Sequence, residues 1–266
     1  MLPNLIIIGA AKCGTTSLHN YLNLHPQISM SQDKEPEFFI EEKNWSKGLD
    51  WYKSIFPSNA KIIGESSTSY SKYPVFKGIA ERMHSIIPHA KLIYVVRDPI
   101  ERIVSHYLER VCRGWESRDL DEILIELEEN PYVDYSKYYM QIEQYLKHYS
   151  RSSILMIDFD ELKLNRKETL KKIFQFLGVD SSFNHKDFLI RHNISKGKRK
   201  PNRLSKFIEP VPVLSELRER MPWLFSSQIN KPVLTESIRQ DLADLMYEDV
   251  EKLRNFTGHD FAKWQF

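Results

Sequence analysis

Leu5-Ile6-Ile7-Ile8-Gly9-Ala10-Ala11-Lys12-Cys13-Gly14-Thr15-Thr16-Ser17 is the stretch on which the fold turns. Four aliphatic residues in a row read as a buried strand, a glycine-bounded loop follows, and Thr15 to Ser17 open a helix-like segment. Such a strand, loop and helix start aims free backbone N–H groups and the positive end of a helix dipole at one point, which suits a phosphate-like anion. Gly9 and Gly14 have the spacing of a nucleotide-binding loop, G-x-x-x-x-G. Thr15 stands where that loop has its lysine, however, and Lys12 lies inside it. The expected ligand is a phosphate-like group held in a different way from the nucleotide of an ATPase.

A second anion site is legible between residues 90 and 110. Ala90-Lys91-Leu92-Ile93-Tyr94-Val95-Val96 reads as a fully buried parallel strand, and Arg97-Asp98-Pro99 ends it with Pro99 placed to open a helix. Arg97 thus sits at the carboxyl end of a strand, the edge where ligands of open α/β sheets collect, and a guanidinium there takes a phosphate bidentately. Ser105 follows about two helical turns on, where its hydroxyl reaches the same anion.

The rest of the chain repeats strand, loop and helix. Strands are expected at Leu5 to Ile8, Ile28 to Met30, Lys61 to Gly64, Lys91 to Val96 and Ile154 to Ile157, with helices between them. The fold class is therefore α/β, a P-loop-like parallel sheet flanked by helices, in one domain over residues 1–266. Lys167 to Leu177 and Thr235 to Asn255 read as amphipathic helices, the latter with Thr235 as N-cap. The chain of 266 residues can bury a sizeable core. Its net charge of +2 conceals a basic run, Arg191 to Lys206, and an acidic stretch, Asp119 to Glu129, which is expected to form an amphipathic surface helix. Six tyrosines, Tyr132, Tyr135, Tyr138, Tyr139, Tyr145 and Tyr149, offer either an acceptor platform or packing between helix and sheet.

These motifs together resemble the sulfotransferases that use 3′-phosphoadenosine 5′-phosphosulfate (PAPS), in their heparan-sulfate-like and bacterial branch. Residues 9 to 17 are similar to the family's 5′-phosphosulfate loop, and Val96 to Tyr107 to its 3′-phosphate motif, R-D-P-x-x-R-x-x-S-x-Y. Lys34-Glu35-Pro36-Glu37-Phe38-Phe39 is similar to K-E-x-x-F-F, Gly48 to Tyr52 to G-x-x-W-Y, and Gly64 to Tyr70 to G-E-x-(S/T)-P-x-Y. Ser195-Lys196-Gly197-Lys198-Arg199-Lys200-Pro201 resembles the S-K-G-R-x-x-P loop that closes over the nucleotide.

The resemblance implies transfer of a sulfuryl group from PAPS, leaving PAP, to a hydroxyl or amine of a small-molecule or carbohydrate acceptor. A sulfuryl group carries less charge than a γ-phosphoryl group, so a lysine and backbone donors suffice without a metal. It implies cofactor contacts from Lys12, Cys13, Gly14, Thr15, Thr16, Ser17, Arg97, Ser105, Lys196, Gly197, Lys198 and Arg199. Cys13 serves there through its backbone, and Arg199 substitutes for Lys198, which stands in the pattern's arginine position. Lys12 and Glu35 are the catalytic pair: Glu35 matches the branch's base, and a carboxylate beside the donor sulfur can take the acceptor proton. Glu37 supports it, and Glu65 is an acceptor-site or structural carboxylate. The chain departs from the pattern at Ser66, where some members have lysine, and at Thr68, where proline is frequent.

Two other readings stay open at this level. A P-loop kinase requires a lysine after the second glycine and a metal-binding carboxylate. A non-catalytic polyanion-binding domain needs the basic run alone. Neither a membrane span nor a nucleic-acid partner is expected. Two cysteines, Cys13 and Cys112, fit a reducing compartment, and a loop so near Met1 fits a bacterial cytoplasmic enzyme, the alternative being an excised catalytic domain.

Overall fold

The computed structural model describes residues 1–56, 59–190, 199–201 and 226–264. At its centre is a five-stranded parallel sheet of β1 (Leu5–Gly9), β2 (Ile28–Met30), β3 (Ile62–Ser66), β4 (Lys91–Val96) and β5 (Ile154–Asp158), in the order β2-β3-β1-β4-β5. The expected strands are all present, three of them one or two residues longer or shifted. β1 lies in the middle, and its Leu5, Ile6, Ile7 and Ile8 are wholly buried. A parallel strand covered on both faces needs that unbroken aliphatic run, and each such side chain contributes about 1.5–3 kcal/mol of burial.

Chain direction decides where a ligand can sit. From β1 the chain runs toward β2 at one edge of the sheet, and from β4 it runs toward β5 at the other. The connections diverge, which opens a crevice at the carboxyl ends of β1 and β4. Into this crevice project α1 (Thr15–Asn23), after the glycine loop, and α4 (Pro99–Cys112), after Arg97. Between them in the chain come α2 (Gly48–Ser54) and α3 (Ile79–Ile86). α4 starts where the sequence predicts: Asp98 caps it by accepting from the Glu101 N–H at 2.9 Å, with Pro99 in its first turn.

Next come the short helices α5 (Leu120–Ile123) and α6 (Pro131–Asp134), then α7 (Tyr138–Leu146), α8 (Phe159–Leu164), α9 (Arg166–Leu177) and α10 (Glu236–Thr257). Thr235 caps α10, its side chain accepting from the Ile238 N–H. A second apolar cluster, with Ile103, Val104, Ile123, Val133, Leu242 and Met246, joins α4, α5, α6 and α10.

The acidic stretch does not form the expected surface helix. After the single turn of α5, Asn130 donates to the carbonyls of Ile123 and Glu126, both at 2.8 Å, and its own oxygen accepts from the Tyr132 N–H. These bonds hold the backbone as a loop, and the run of like charges gives a continuing helix no i,i+4 support. Of the tyrosines, Tyr138, Tyr145 and Tyr149 are buried in the main core, the packing alternative.

Gly9 illustrates how tightly the sheet end is built. Its φ is +150°, and a Cβ there would lie 2.0 Å from Ser71 Oγ and 3.1 Å from Tyr94 Cε2. Gly9→Ala should destabilise the protein by about 3 kcal/mol, read as a lowered denaturant midpoint at unchanged slope; an unaltered midpoint would show that the segment relaxes freely.

Candidate active site

The loop from Gly9 to Gly14 is tied to the sheet by the Ala10 N–H, which donates to the Val95 carbonyl at 2.8 Å. Lys12 (φ 73°) and Gly14 (φ 83°) both take left-handed conformations, and Gly14 is the N-cap of α1. No side chain caps that helix and no acidic residue occupies its first turn, so the N–H groups of Thr15 and Thr16 point outward as an anion cradle. A Cβ on Gly14 would meet the Phe159 ring at 3.0 Å. Cys13 differs from expectation: its N–H turns inward to the Ala10 carbonyl at 3.2 Å, so it is not one of the cradle's donors. Its thiol is buried beside the Tyr138 hydroxyl, and burial pushes its pKa up to about 11, which removes it as a nucleophile.

One face of α4 collects the predicted cations. Glu101, Ser105 and Glu109 recur every four residues and therefore form a stripe. Arg97 pairs with Glu101 at 3.1 Å and lies over the Phe159 ring, and Lys12 pairs with Glu109. Ser105 is buried between the two pairs. Lys231 also reaches Glu101, at 2.7 Å, and Arg113 reaches Glu109 at 2.8 Å. Burial raises both carboxyls, but bonds and charge from Lys231 and Arg97 at Glu101, and from Lys12 and Arg113 at Glu109, hold them below the usual range. Both glutamates were absent from the expected site, although their spacing from Arg97 and Ser105 was visible in the sequence; Lys231 left no such signal.

Glu35 lies across the crevice on the segment after β2. Its N–H donates to the Ser66 carbonyl, which appends the segment to the end of β3, and Glu35 (φ 65°) and Glu37 (φ 49°) are both left-handed. Lys34 Nζ sits 2.6 Å from Glu35 Oε1, and the Thr68 hydroxyl donates to both Glu35 oxygens at 3.3 Å. Thr68, a departure from the family pattern, thus orients the carboxylate, and Lys34 supplies a cation beside it where Ser66 supplies none. Glu37 is drawn aside to Lys43 at 2.5 Å.

Glu65 is wholly buried. It accepts from Tyr52 at 2.7 Å, Tyr70 at 3.0 Å and Ser67 at 2.7 Å. Of the two roles the sequence leaves open, this geometry is that of a structural carboxylate, since nothing of it faces an acceptor. Ser67 and Tyr70 in turn accept from the backbone N–H groups of Glu37 and Phe39, so Glu65 fixes the Glu35 segment from beneath. Lys196, Gly197 and Lys198 lie outside the described residues. Arg199 opens β6 (Arg199–Pro201), paired antiparallel with β7 (Ser226–Gln228), and this ribbon lies against α4.

Burial pushes the Glu65 pKa up to about 7, against the lowering effect of its three hydrogen bonds. A folded-state pKa raised above the unfolded value means that the native protein holds a proton the unfolded chain has released. Stability is therefore full below about pH 4.5 and is lost as pH rises through about 7. Glu65→Gln should remove about 3 kcal/mol of this pH dependence, seen by comparing unfolding of both proteins at pH 5 and pH 8. Parallel curves for the two would mean that Glu65 titrates normally.

The sulfotransferase domain family matches residues 2–230. Bifunctional heparan sulfate N-deacetylase/N-sulfotransferase 2 of Homo sapiens is 28% identical over 204 residues, covering 69% of this chain and 23% of that protein. Heparan sulfate glucosamine 3-O-sulfotransferase 3B1 of Mus musculus is 28% identical over 205 residues, covering 74% of this chain and 50% of its own. The chain thus spans at most half the length of these relatives. A sulfotransferase crystal structure from Alicyclobacillus acidocaldarius superposes with a TM-score of 0.73 over all of both chains at 24% identity, which fixes the fold. By a family match that takes in the glycine loop, the Arg97 strand end and the Glu35 segment alike, the chain belongs to the sulfotransferase domain family.

Proposed function

We propose that the protein moves the sulfuryl group of PAPS to a hydroxyl of a carbohydrate or other small acceptor. The observation that supports this most is the stripe on α4: Lys12 and Arg97 flank Ser105, each neutralised by a carboxylate that an anionic ligand can displace. Two such anion sites on one helix face match a ligand with phosphate-like groups at two positions. Family membership sets aside the kinase and the non-catalytic readings.

The donor's 5′ end is assigned to Lys12, Gly14, Thr15, Thr16 and Ser17, and its 3′-phosphate to Arg97 and Ser105, with Arg199 near by on β6. When bound, PAPS supplies an activated sulfuryl group. Glu35 takes the proton of the attacking hydroxyl as the new O–S bond forms, and Lys12 meets the charge that gathers on the bridging oxygen as the old S–O bond breaks. Thr68 and Lys34 hold the Glu35 carboxylate in one orientation. Among the described residues no helix is long and apolar enough to cross a membrane. A cytoplasmic setting belongs to the same reading, supported by Cys13 and Cys112, neither of them in a disulfide.

PAP should bind at least about tenfold tighter than AMP by calorimetry, because AMP leaves the Arg97 site empty; equal affinities would overturn the donor assignment. Lys12→Ala should lower turnover more than PAP affinity. Glu35→Gln should cost about 10² to 10⁴ in rate while PAP still binds. Turnover close to wild type, measured where chemistry limits the rate, would remove Glu35 as the base.

A further inference from the structure

The Tyr138 hydroxyl touches both anion-binding segments from within the core. It accepts from the Arg97 backbone N–H at 3.4 Å and lies 3.8 Å from Cys13 Sγ. That sulfur is in turn 3.8 Å from the Ala11 carbonyl. The order that gives every donor its own acceptor runs one way: Arg97 N–H to the tyrosine oxygen, tyrosine O–H to the sulfur, thiol S–H to the carbonyl. Burial keeps the thiol protonated, as the last link requires. A series of bonds therefore runs from the carboxyl end of β4 into the glycine loop and ends on the residue before Lys12.

The hydroxyl is held in place from three directions. Tyr138 and Cys13 are wholly buried. The tyrosine ring meets Tyr94 of β4 edge-on, with centroids 5.9 Å apart, and lies 5.9 Å from the Trp264 ring. Its backbone is the first residue of α7, a helix whose own N-cap residue, Lys137, provides no side-chain bond. Asp249 of α10 caps it from across the fold, its two oxygens accepting from the Tyr139 and Met140 N–H groups at 2.9 Å and 2.8 Å. A carboxylate there satisfies two orphan donors and complements the helix dipole. Asp249 and Trp264 both lie beyond residue 230, where the family match ends.

We infer that Tyr138 is a positioning residue for the donor: its hydroxyl sets the span between the glycine loop and the Arg97 strand end, and Asp249 fixes it there. The groups assigned to each anion do not include it. They are Lys12 and the first-turn N–H groups of α1 on one side, the Arg97 guanidinium and Ser105 on the other. What the hydroxyl governs is the distance between those two sets. A ligand with two anionic groups gains from a span that is preset, whereas a ligand with one does not.

This inference rests on the donor assignment, and one series of titrations tells the two apart. PAP, AMP and adenosine 3′-phosphate are titrated calorimetrically into the full chain and its variants. Tyr138→Phe keeps the ring and removes the hydroxyl. It should weaken PAP about three- to tenfold while AMP and adenosine 3′-phosphate change by less than about twofold. Cys13→Ala cuts the same series at its next link and should have the same effect. The double variant should lose no more than either single one, because a series already broken has no second link to lose. Asp249→Ala should reproduce the selective loss from a distance, and if it fails to fold the other variants still decide.

If the unaltered protein binds PAP no tighter than AMP, the donor assignment fails and the inference falls with it. If PAP is preferred there, any of three results overturns the inference alone: unchanged PAP affinity in Tyr138→Phe or in folded Asp249→Ala, equal losses for all three ligands, or additive losses in the double variant.

Discussion

The buried Glu65 carboxylate is the interaction on which the Glu35 half of the crevice depends. Its three donors do not end with it: Ser67 and Tyr70 accept in turn from the backbone of the Glu37 and Phe39 segment, and Tyr52 stacks on Phe38 with ring centroids 4.2 Å apart. A charge taken out of water is costly unless it is fully bonded. That cost locks the relay, because loosening any member strands a buried polar group. The left-handed backbone at Glu35 and Glu37, which isolated residues of this type resist, is held by that rigidity.

The opposite wall follows a different logic. Lys12 and Arg97 are kept on carboxylates of α4, so this wall is an array of neutralised cations rather than a bare positive pocket. Such pairs are half-buried and contribute little to stability by themselves. Their effect is positional: they hold two long, flexible side chains on one face of α4.

Joining the two walls is α4. Its Glu101, Ser105 and Glu109 stripe holds Arg97 and Lys12, while His106 and Arg110, one residue further round the helix, line a cavity beside α6. A helix whose adjacent residues differ in direction by about 100° presents two such faces at once. Its start is set by the Asp98 cap and Pro99, which is why Arg97 emerges at the strand end and not within the helix.

The aliphatic runs of β1 and β4, the Gly14 helix start, the Asp98-Pro99 cap and the Thr235 cap were determined by the sequence itself, because each depends on bonds within a few residues or on burial of a continuous apolar run. The sequence also pointed to Lys12, Glu35, Arg97 and Ser105 as a group through their motifs. Only the tertiary structure decided what surrounds them. It turned the Cys13 N–H inward and buried Glu65 under three hydroxyls, that of Tyr52 from α2 and those of Ser67 and Tyr70 from the stretch after β3. It broke the acidic stretch into a loop around Asn130 and set that loop over Tyr132 and Tyr135 as a cavity wall. Each of these outcomes depends on partners remote in the chain or on competition for one carbonyl or one volume, and no local pattern of residues records who wins such a competition.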